Sequence, residues 1–130
     1  MKNVVISGSA SLQKEIQKWK KHFEEKGCHV LNFPIPIAKD TFEKEYPRIH
    51  ASFYKDIERS DIFFLMNEEK NGIKGYIGAA GISELSYAII QNLVHHKKIQ
   101  IFILNMPDKN VSCYDEIVRW SNLGWINFYK

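Results

Sequence analysis

The chain has 130 residues, of which 45% are hydrophobic and 25% are charged, and its formal net charge is only +3. This composition suits one globular domain over residues 1–130 with one compact core, and the chain contains no low-complexity tract or flexible linker. No apolar run is long enough to span a bilayer, and the first residues lack the extended apolar stretch of a secretory signal. For these two reasons we expect a cytoplasmic protein without a membrane partner. The basic residues are not clustered on one segment, so we also expect no nucleic-acid partner.

The first half of the chain predicts strands that alternate with helices. The predicted elements are a strand over 3–7, a turn over 8–11, a helix over 11–26, a strand over 28–32, an irregular connection over 38–46 and a helix over 47–60. The first strand is β-branched, as buried parallel strands are, and apolar residues recur at helical spacing in the first helix until Gly27 ends it. Pro47 suits the first position of the next helix, where its missing N–H has no partner in any case.

The second half continues the alternation. Its predicted elements are a strand over 61–67, a glycine-spaced loop over 71–81, a helix over 82–95, a strand over 99–104, a helix over 112–124 and an edge strand over 125–129. The run that follows Asp61 is apolar on both faces, which favours a central strand. Together the elements predict an α/β fold, a three-layer sandwich with a parallel sheet of four to five strands, of the flavodoxin-like or Rossmann-like kind.

In a parallel sheet covered by helices, ligands bind beyond the carboxyl ends of the strands. The residues that we expect to bind a substrate there are Ser7, Gly8, Ser9, Asn67, Gly78, Gly81 and Tyr87. The turn of Ser7, Gly8 and Ser9 offers hydroxyl and N–H groups to a phosphate, although a plain strand-to-helix turn needs no ligand. Tyr87 either lines the pocket or packs against the sheet. Asp61 begins its strand at the opposite edge and is excluded from the site.

Glu84 is the candidate catalytic residue. Glycines at 72, 75, 78 and 81 permit sharp turns and a close approach of the backbone to a ligand. We expect Glu84 in the first turn of the helix over 82–95, where N–H groups and the helix dipole keep its carboxylate ionised. An ionised, sheltered carboxylate can act as a nucleophile. The alternative interpretation is an acidic residue that only complements the helix dipole.

No residue pattern predicts a metal site or a cofactor. The histidines at 22, 29, 50, 95 and 96 lack ligand spacing with acids or cysteines. Cys28 and Cys113 are isolated, as reduced structural thiols are. The turn over 8–11 also lacks the further glycines of a Walker motif or a dinucleotide fingerprint.

Three segments resemble the nucleoside 2-deoxyribosyltransferase-like superfamily, which includes 2′-deoxynucleoside 5′-phosphate N-hydrolases. They are the opening strand and turn over 4–9, the stretch Ser60-Asp61 followed by an apolar strand, and the segment Gly81-Ile82-Ser83-Glu84-Leu85-Ser86-Tyr87-Ala88. The third segment is similar to the Glu-Leu-Gly-Tyr-Ala signature of that superfamily, with Ser86 in place of the usual glycine. By this resemblance, Glu84 corresponds to the family nucleophile.

The resemblance implies a function and a kind of partner. The small-molecule partner would be a nucleoside or nucleotide, with its sugar 5′ end or phosphate held at the first turn. The Glu84 carboxylate would capture C1′ as the N-glycosidic bond breaks, and a second base or a water would then accept the sugar. The resemblance also implies a homodimer or a higher homo-oligomer.

The sequence departs from the superfamily at two acids. The Asp that members carry eight residues before the Asp61 position is Phe53 here, and an acid six residues before the nucleophile corresponds to Gly78. Glu68, Glu69 and His50 are possible substitutes, or else exposed charges. These departures favour an alternative function, a nucleotide-binding or sensing module with impaired catalysis. A structural or assembly protein is a third interpretation.

The last segment of the chain is rich in aromatic residues. Its members are Trp120, Trp125, Phe128 and Tyr129. They either cover the edge of the sheet or form a subunit contact, because exposed aromatic side chains are enriched at interfaces.

Overall fold

A computed structural model describes residues 1–130 and contains one sheet of five parallel strands in the order β2-β1-β3-β4-β5. The strands are β1 (Asn3–Ser7), β2 (His29–Asn32), β3 (Ile62–Leu65), β4 (Gln100–Ile103) and β5 (Asn127–Phe128). The helices are α1 (Gln13–Glu25), α2 (Phe42–Arg59), α3 (Ala79–His95) and α4 (Tyr114–Asn122), and a 3₁₀ turn over Lys39–Thr41 precedes α2. This strand order is the flavodoxin-like one, so the predicted fold class is confirmed.

Helices pack on both faces of the sheet through apolar side chains, which makes the molecule a three-layer sandwich. One cluster of 15 buried residues joins the sheet to α2, α3 and α4. A second cluster of 8 buried residues joins the other face to α1, where Ile16 and Phe23 are fully buried. The central strand β3 contributes to both clusters, which is why its four residues are all buried and apolar.

The helix α2 begins earlier than the sequence predicts. Residues 42–46 were expected to be irregular, with Pro47 at the first helical position, but the helix starts at Phe42 and Pro47 is its sixth residue. The proline there removes only the single N–H that would reach the carbonyl of Glu43. Stacking of the Phe42 and Tyr46 rings, whose centroids are 5.1 Å apart, holds the two sides of this turn together.

The helix α3 also begins earlier than predicted, at Ala79 instead of Ile82, with Gly78 in an extended conformation at its N-cap. This difference of three residues changes the position of Glu84 within the helix. No helix in the chain has both the length and the apolar character needed to cross a membrane.

Candidate functional site

The main cavity lies beyond the carboxyl ends of β1 and β3 and has a volume of about 530 Å³. Its walls come from the turn after β1, the segment after β2, the first half of α2 and the start of α3. The connections that leave β1 and β3 run to opposite faces of the sheet, since α1 packs on one face and α3 on the other. The gap between these two strands is therefore the topological switch point, at which this fold class binds ligands. The volume is within the range of pockets for small organic ligands.

Glu84 projects into this cavity from the second turn of α3. Its side chain is buried, with 8% of the residue exposed, and its Oε1 accepts a hydrogen bond of 2.5 Å from the Ser7 hydroxyl at the end of β1. Burial raises the pKa of Glu84 from 4.5 to about 7, an effect that the hydrogen bond from Ser7 partly opposes. The structure therefore places an orientated carboxyl group, sensitive to pH near neutrality, on the cavity wall.

The expectation that Glu84 occupies the first turn of α3 and is kept ionised by the helix dipole is wrong. Glu84 is the sixth residue of α3, and the first turn of that helix contains no acidic residue. The dipole effect falls off beyond the first turn. Desolvation therefore dominates at Glu84 and favours the protonated form over the ionised one.

The glycines of the 71–81 loop have three different functions. Asn71 and Gly72, with φ of 53° and 78°, form a two-residue hairpin turn closed by hydrogen bonds between Lys70 and Ile73. Gly75 has a φ of 61°, and a Cβ at this position would lie 2.7 Å from Cα of Pro107. Gly75 therefore permits a close approach to the protein's own backbone.

Gly78 and Gly81 line the cavity at the start of α3. A Cβ on Gly78 would lie 3.1 Å from the Tyr76 hydroxyl, and one on Gly81 would lie 3.5 Å from Cδ1 of Leu65. At Gly81, α3 packs against Leu65 of β3. This packing brings Glu84 to the carboxyl edge of the sheet.

Most of the predicted substrate-binding residues come together at this cavity. Gly8, Ser9, Gly78, Gly81 and Glu84 all line it. Ser7 is fully buried behind them and reaches the site only through its hydrogen bond to Glu84. It therefore orients the carboxyl group and does not face the open cavity.

Asn67 and Tyr87, also predicted as substrate-binding residues, do not line the cavity. The amide of Asn67 is 1% exposed, donates to the carbonyls of Gly75 and Asn105 and accepts from the N–H groups of Leu104 and Asn105. These bonds use all the hydrogen-bonding capacity of the amide to join the connection between β3 and α3 to the segment after β4, so the role of Asn67 is structural.

Tyr87 packs with its ring centroid 4.9 Å from that of Tyr54, and its hydroxyl donates a hydrogen bond to Glu58. Of the two interpretations left open by the sequence, the structure shows the packing one. The contacts of Tyr87 place it between α2 and α3, below the cavity.

Lys70 lines the cavity but was missed in the sequence. Its Nζ donates a hydrogen bond of 2.7 Å to the Ser9 hydroxyl and lies 5.0 Å from the centre of the Tyr76 ring. It has no carboxylate partner, whereas Arg48, the other lysine or arginine on the wall, pairs with Glu45. The Asn71-Gly72 pair is the sequence signal from which Lys70 could have been predicted. Such a pair is typical of a two-residue hairpin turn, and the turn fixes the positions of its flanking residues, Lys70 and Ile73.

An aromatic stripe runs along one side of α2 at intervals of four residues. Its members are Phe42, Tyr46, His50 and Tyr54. Tyr46 and His50 stack with centroids 5.0 Å apart and an angle of 28° between their planes, and both line the cavity. Phe53, at the position where the superfamily carries an acid, also lines the cavity and is 5% exposed.

Glu84 is the only carboxyl group on the cavity wall. Glu68, suggested as a substitute acid, binds the side chains of Lys18 and Trp19 outside the cavity. Glu69 does not line the cavity either, and Asp56 bonds to Asn32 and Arg59. No group of three His, Cys, Asp or Glu side chains is placed to hold a metal ion.

No protein-family model matches the chain, and no curated protein matches it significantly. Among solved structures, a CMP N-glycosidase from Clostridium botulinum, BcmB, matches with a TM-score of 0.56 and 14% identity over 96% of this chain and 87% of that one. The flavoenzyme FerB, an NAD(P)H:(acceptor) oxidoreductase from Paracoccus denitrificans, matches with a TM-score of 0.51 and 12% identity over 100% and 76%.

These structural similarities show the fold. The first neighbour is a member of the nucleoside 2-deoxyribosyltransferase-like fold, so the resemblance drawn from the sequence motifs is confirmed at the level of fold. The two neighbours have different activities, and a shared fold does not by itself transfer either of them. The side chains of the cavity, and not the fold, therefore determine the activity of this chain.

Proposed function

We propose that the protein cleaves the N-glycosidic bond of a nucleoside 5′-phosphate, with Glu84 as the nucleophile. The observation that carries this proposal is the single buried carboxyl group, oriented by Ser7, on the wall of a nucleotide-sized cavity at the switch point of the sheet. The fold shared with a CMP N-glycosidase supports the same class of reaction.

The chemistry needs a carboxylate on the face of the sugar opposite the base. The bond between C1′ and the base nitrogen breaks through an oxocarbenium-like transition state, and the Glu84 oxygen bonds to C1′ as a glycosyl ester. A water then attacks C1′ and releases the sugar phosphate. Transfer to a second base would use the same ester, and the choice between the two depends on which acceptor enters.

Lys70 and Ser9 support a phosphorylated substrate. The Lys70 ammonium group is a cavity cation without a carboxylate partner, and its contact with Ser9 places it beside the turn that follows β1. Hydroxyl, N–H and ammonium groups together favour an anion. A 5′-phosphate at this turn would orient the sugar between the turn and Glu84.

The test is base release from nucleoside and 2′-deoxynucleoside 5′-phosphates and from the matching nucleosides, followed by liquid chromatography. We expect the phosphates to be preferred. Glu84→Gln keeps the side-chain shape but removes the nucleophile, so it should reduce turnover by about 10³-fold or more.

Glu25→Gln is the matched control, because Glu25 is the exposed last residue of α1 and lies outside the cavity. This variant should keep the activity of the parent protein. Undiminished turnover in Glu84→Gln, or no base release from any substrate by the parent protein, would rule out the proposal.

A nucleotide-binding or sensing module is the second candidate function. Phe53 favours it, because an apolar side chain fills the position where the superfamily carries an acid. Isothermal titration calorimetry that shows binding of a nucleoside 5′-phosphate, with no free base after long incubation, would support this alternative. Detectable free base that depends on Glu84 would exclude it.

A further inference from the structure

We propose that His50 donates the proton that the departing base takes up, an inference that rests on the proposed N-glycosidase function. When the C1′–N bond breaks, its electron pair stays on the base, and a neutral base departs more easily if it is protonated. Glu84 cannot serve both as the ionised nucleophile and as the acid in the same step. A second group is therefore required on the side of the base.

The cavity contains no second carboxyl group for this purpose. Phe53 fills the position of the superfamily acid, and His50 lies three residues before it on the same helix, about one turn away. Both side chains line the cavity. Of the three substitutes suggested by the sequence, Glu68 and Glu69 lie outside the cavity wall and only His50 belongs to it.

The surroundings of His50 hold its ring but leave its nitrogens accessible. The imidazole stacks on Tyr46 at 5.0 Å and meets the Tyr54 ring edge-on at 4.6 Å, both between ring centroids. His50 makes no side-chain hydrogen bond within the chain, and no buried polar side-chain atom lacks a partner, so its ring nitrogens are open to solvent, and His50 itself lines the cavity. A substrate base can therefore be their hydrogen-bond partner.

The lysine and the arginine on the wall are less suited to this step. Lys70 is engaged with Ser9, and Arg48 is paired with Glu45 and does not release its proton. An imidazole is the side chain that most often transfers protons in enzymes. Glu84 is the only carboxyl group on the same wall.

The reaction takes two displacements at C1′. The C1′–N bond breaks, the electron pair goes to the base nitrogen, the His50 imidazolium gives its proton to the base, and a Glu84 oxygen bonds to C1′. In the second step a water oxygen bonds to C1′, the ester bond breaks to regenerate the Glu84 carboxylate, and His50 takes the proton of the water. The net reaction converts a nucleotide and water into a free base and a sugar phosphate.

The experiment compares leaving groups that need a proton with leaving groups that do not. Guanosine 5′-phosphate and cytidine 5′-phosphate release neutral bases that benefit from protonation. 7-Methylguanosine 5′-phosphate and nicotinamide mononucleotide carry cationic bases that leave as neutral molecules without a proton. His50→Gln should lower kcat on the first pair by roughly 10²–10⁴-fold and leave kcat on the second pair nearly unchanged.

A second variant keeps the test decisive if the cationic substrates are poor ones. In His50→Ala, added imidazole should restore turnover of the neutral-base substrates in a concentration-dependent way. His95→Gln, at the end of α3 outside the cavity, is the matched control and should behave as the parent protein. Thermal unfolding of all variants checks that they are folded.

Unchanged kcat in His50→Gln would overturn the inference. An equal loss on neutral and cationic substrates, or an absence of rescue by imidazole in His50→Ala, would also overturn it, because a positioning role predicts those results. These failures leave the proposed function intact as long as the parent protein releases base in a Glu84-dependent way. A parent protein that releases no base would instead overturn the proposed function.

Discussion

Burial of Glu84 couples the protonation of the site to the stability of the protein. Its pKa is raised from 4.5 to about 7 in the folded chain because the carboxylate loses its hydration. The folded state therefore binds a proton between these two pH values that the unfolded state has released. A stability contribution from the neutral acid is fully present below about pH 4.5 and is lost as the pH rises through about 7.

This coupling predicts a pH-dependent difference between the parent protein and Glu84→Gln. The glutamine has no proton to lose, so the free energy of unfolding of the variant, relative to the parent, should rise by about 2.5 kcal/mol between about pH 5 and about pH 8. Urea unfolding at both values measures the difference. A constant difference would show that the carboxyl group is not desolvated as the structure indicates.

Glu84 also shows what the sequence could and could not predict about the site. The glycine loop and the motif identified the residue, since both are local patterns. Its protonation depends on how deeply α3 packs into the sheet, a tertiary property that no local pattern contains. Asn67 was misjudged for a related reason, because its hydrogen-bond partners come from loops distant in sequence.

At the scale of elements, the connection between β3 and α3 holds the cavity wall in place. Gly75 in this connection has a φ of 61°, and a Cβ there would lie 2.8 Å from the carbonyl oxygen of Met106. Gly72 has a φ of 78°, but a Cβ there would have no neighbour within 4 Å. An alanine would therefore be strained by the positive φ at either position, but only at position 75 would its Cβ also collide with neighbouring atoms.

Alanine substitutions separate these two effects. Gly72→Ala should cost about 1 kcal/mol, the penalty for an L-residue in a left-handed conformation. Gly75→Ala should lose about 1–3 kcal/mol more, because the backbone of the 106–107 segment must shift. Urea unfolding of both variants checks the difference, and equal losses would show that the 106–107 backbone leaves room for a Cβ at Gly75.

The strands and the order of elements were predictable because buried parallel strands are continuous apolar runs. The starts of α2 and α3 were not, since Pro47 is typical of a first helical position and closely spaced glycines are typical of a loop. In α2, Phe42 stacks on Tyr46 in the turn that precedes the proline. Local signals thus located the elements but not the residues at which these two helices begin.

At the scale of the whole molecule, the five-stranded sheet creates the site by its topology. The reversal between β1 and β3 opens a cavity where Ser7, Glu84 and Lys70 approach from separate segments of the chain. The sequence predicted this edge of the sheet as the binding edge. It could not predict which residues line the cavity, because that depends on the path of α2 and of the 70–73 hairpin.

The predicted homo-oligomer stays a prediction. Tyr129 packs within the chain, with its ring centroid 5.4 Å from that of Phe23, and Trp120 and Phe128 pack against the core. Trp125 is the most exposed of the four aromatic residues, at 37%.

The central claim, capture of the sugar by Glu84, is tested most directly by the stereochemistry of cleavage in buffer that contains methanol. Proton NMR identifies the anomer of the methyl glycoside phosphate that forms from a β-nucleotide. Two displacements through a Glu84 ester predict the β-anomer, with retained configuration. The α-anomer would contradict the account, because it would mean that the solvent attacks C1′ directly and that Glu84 forms no bond to the sugar.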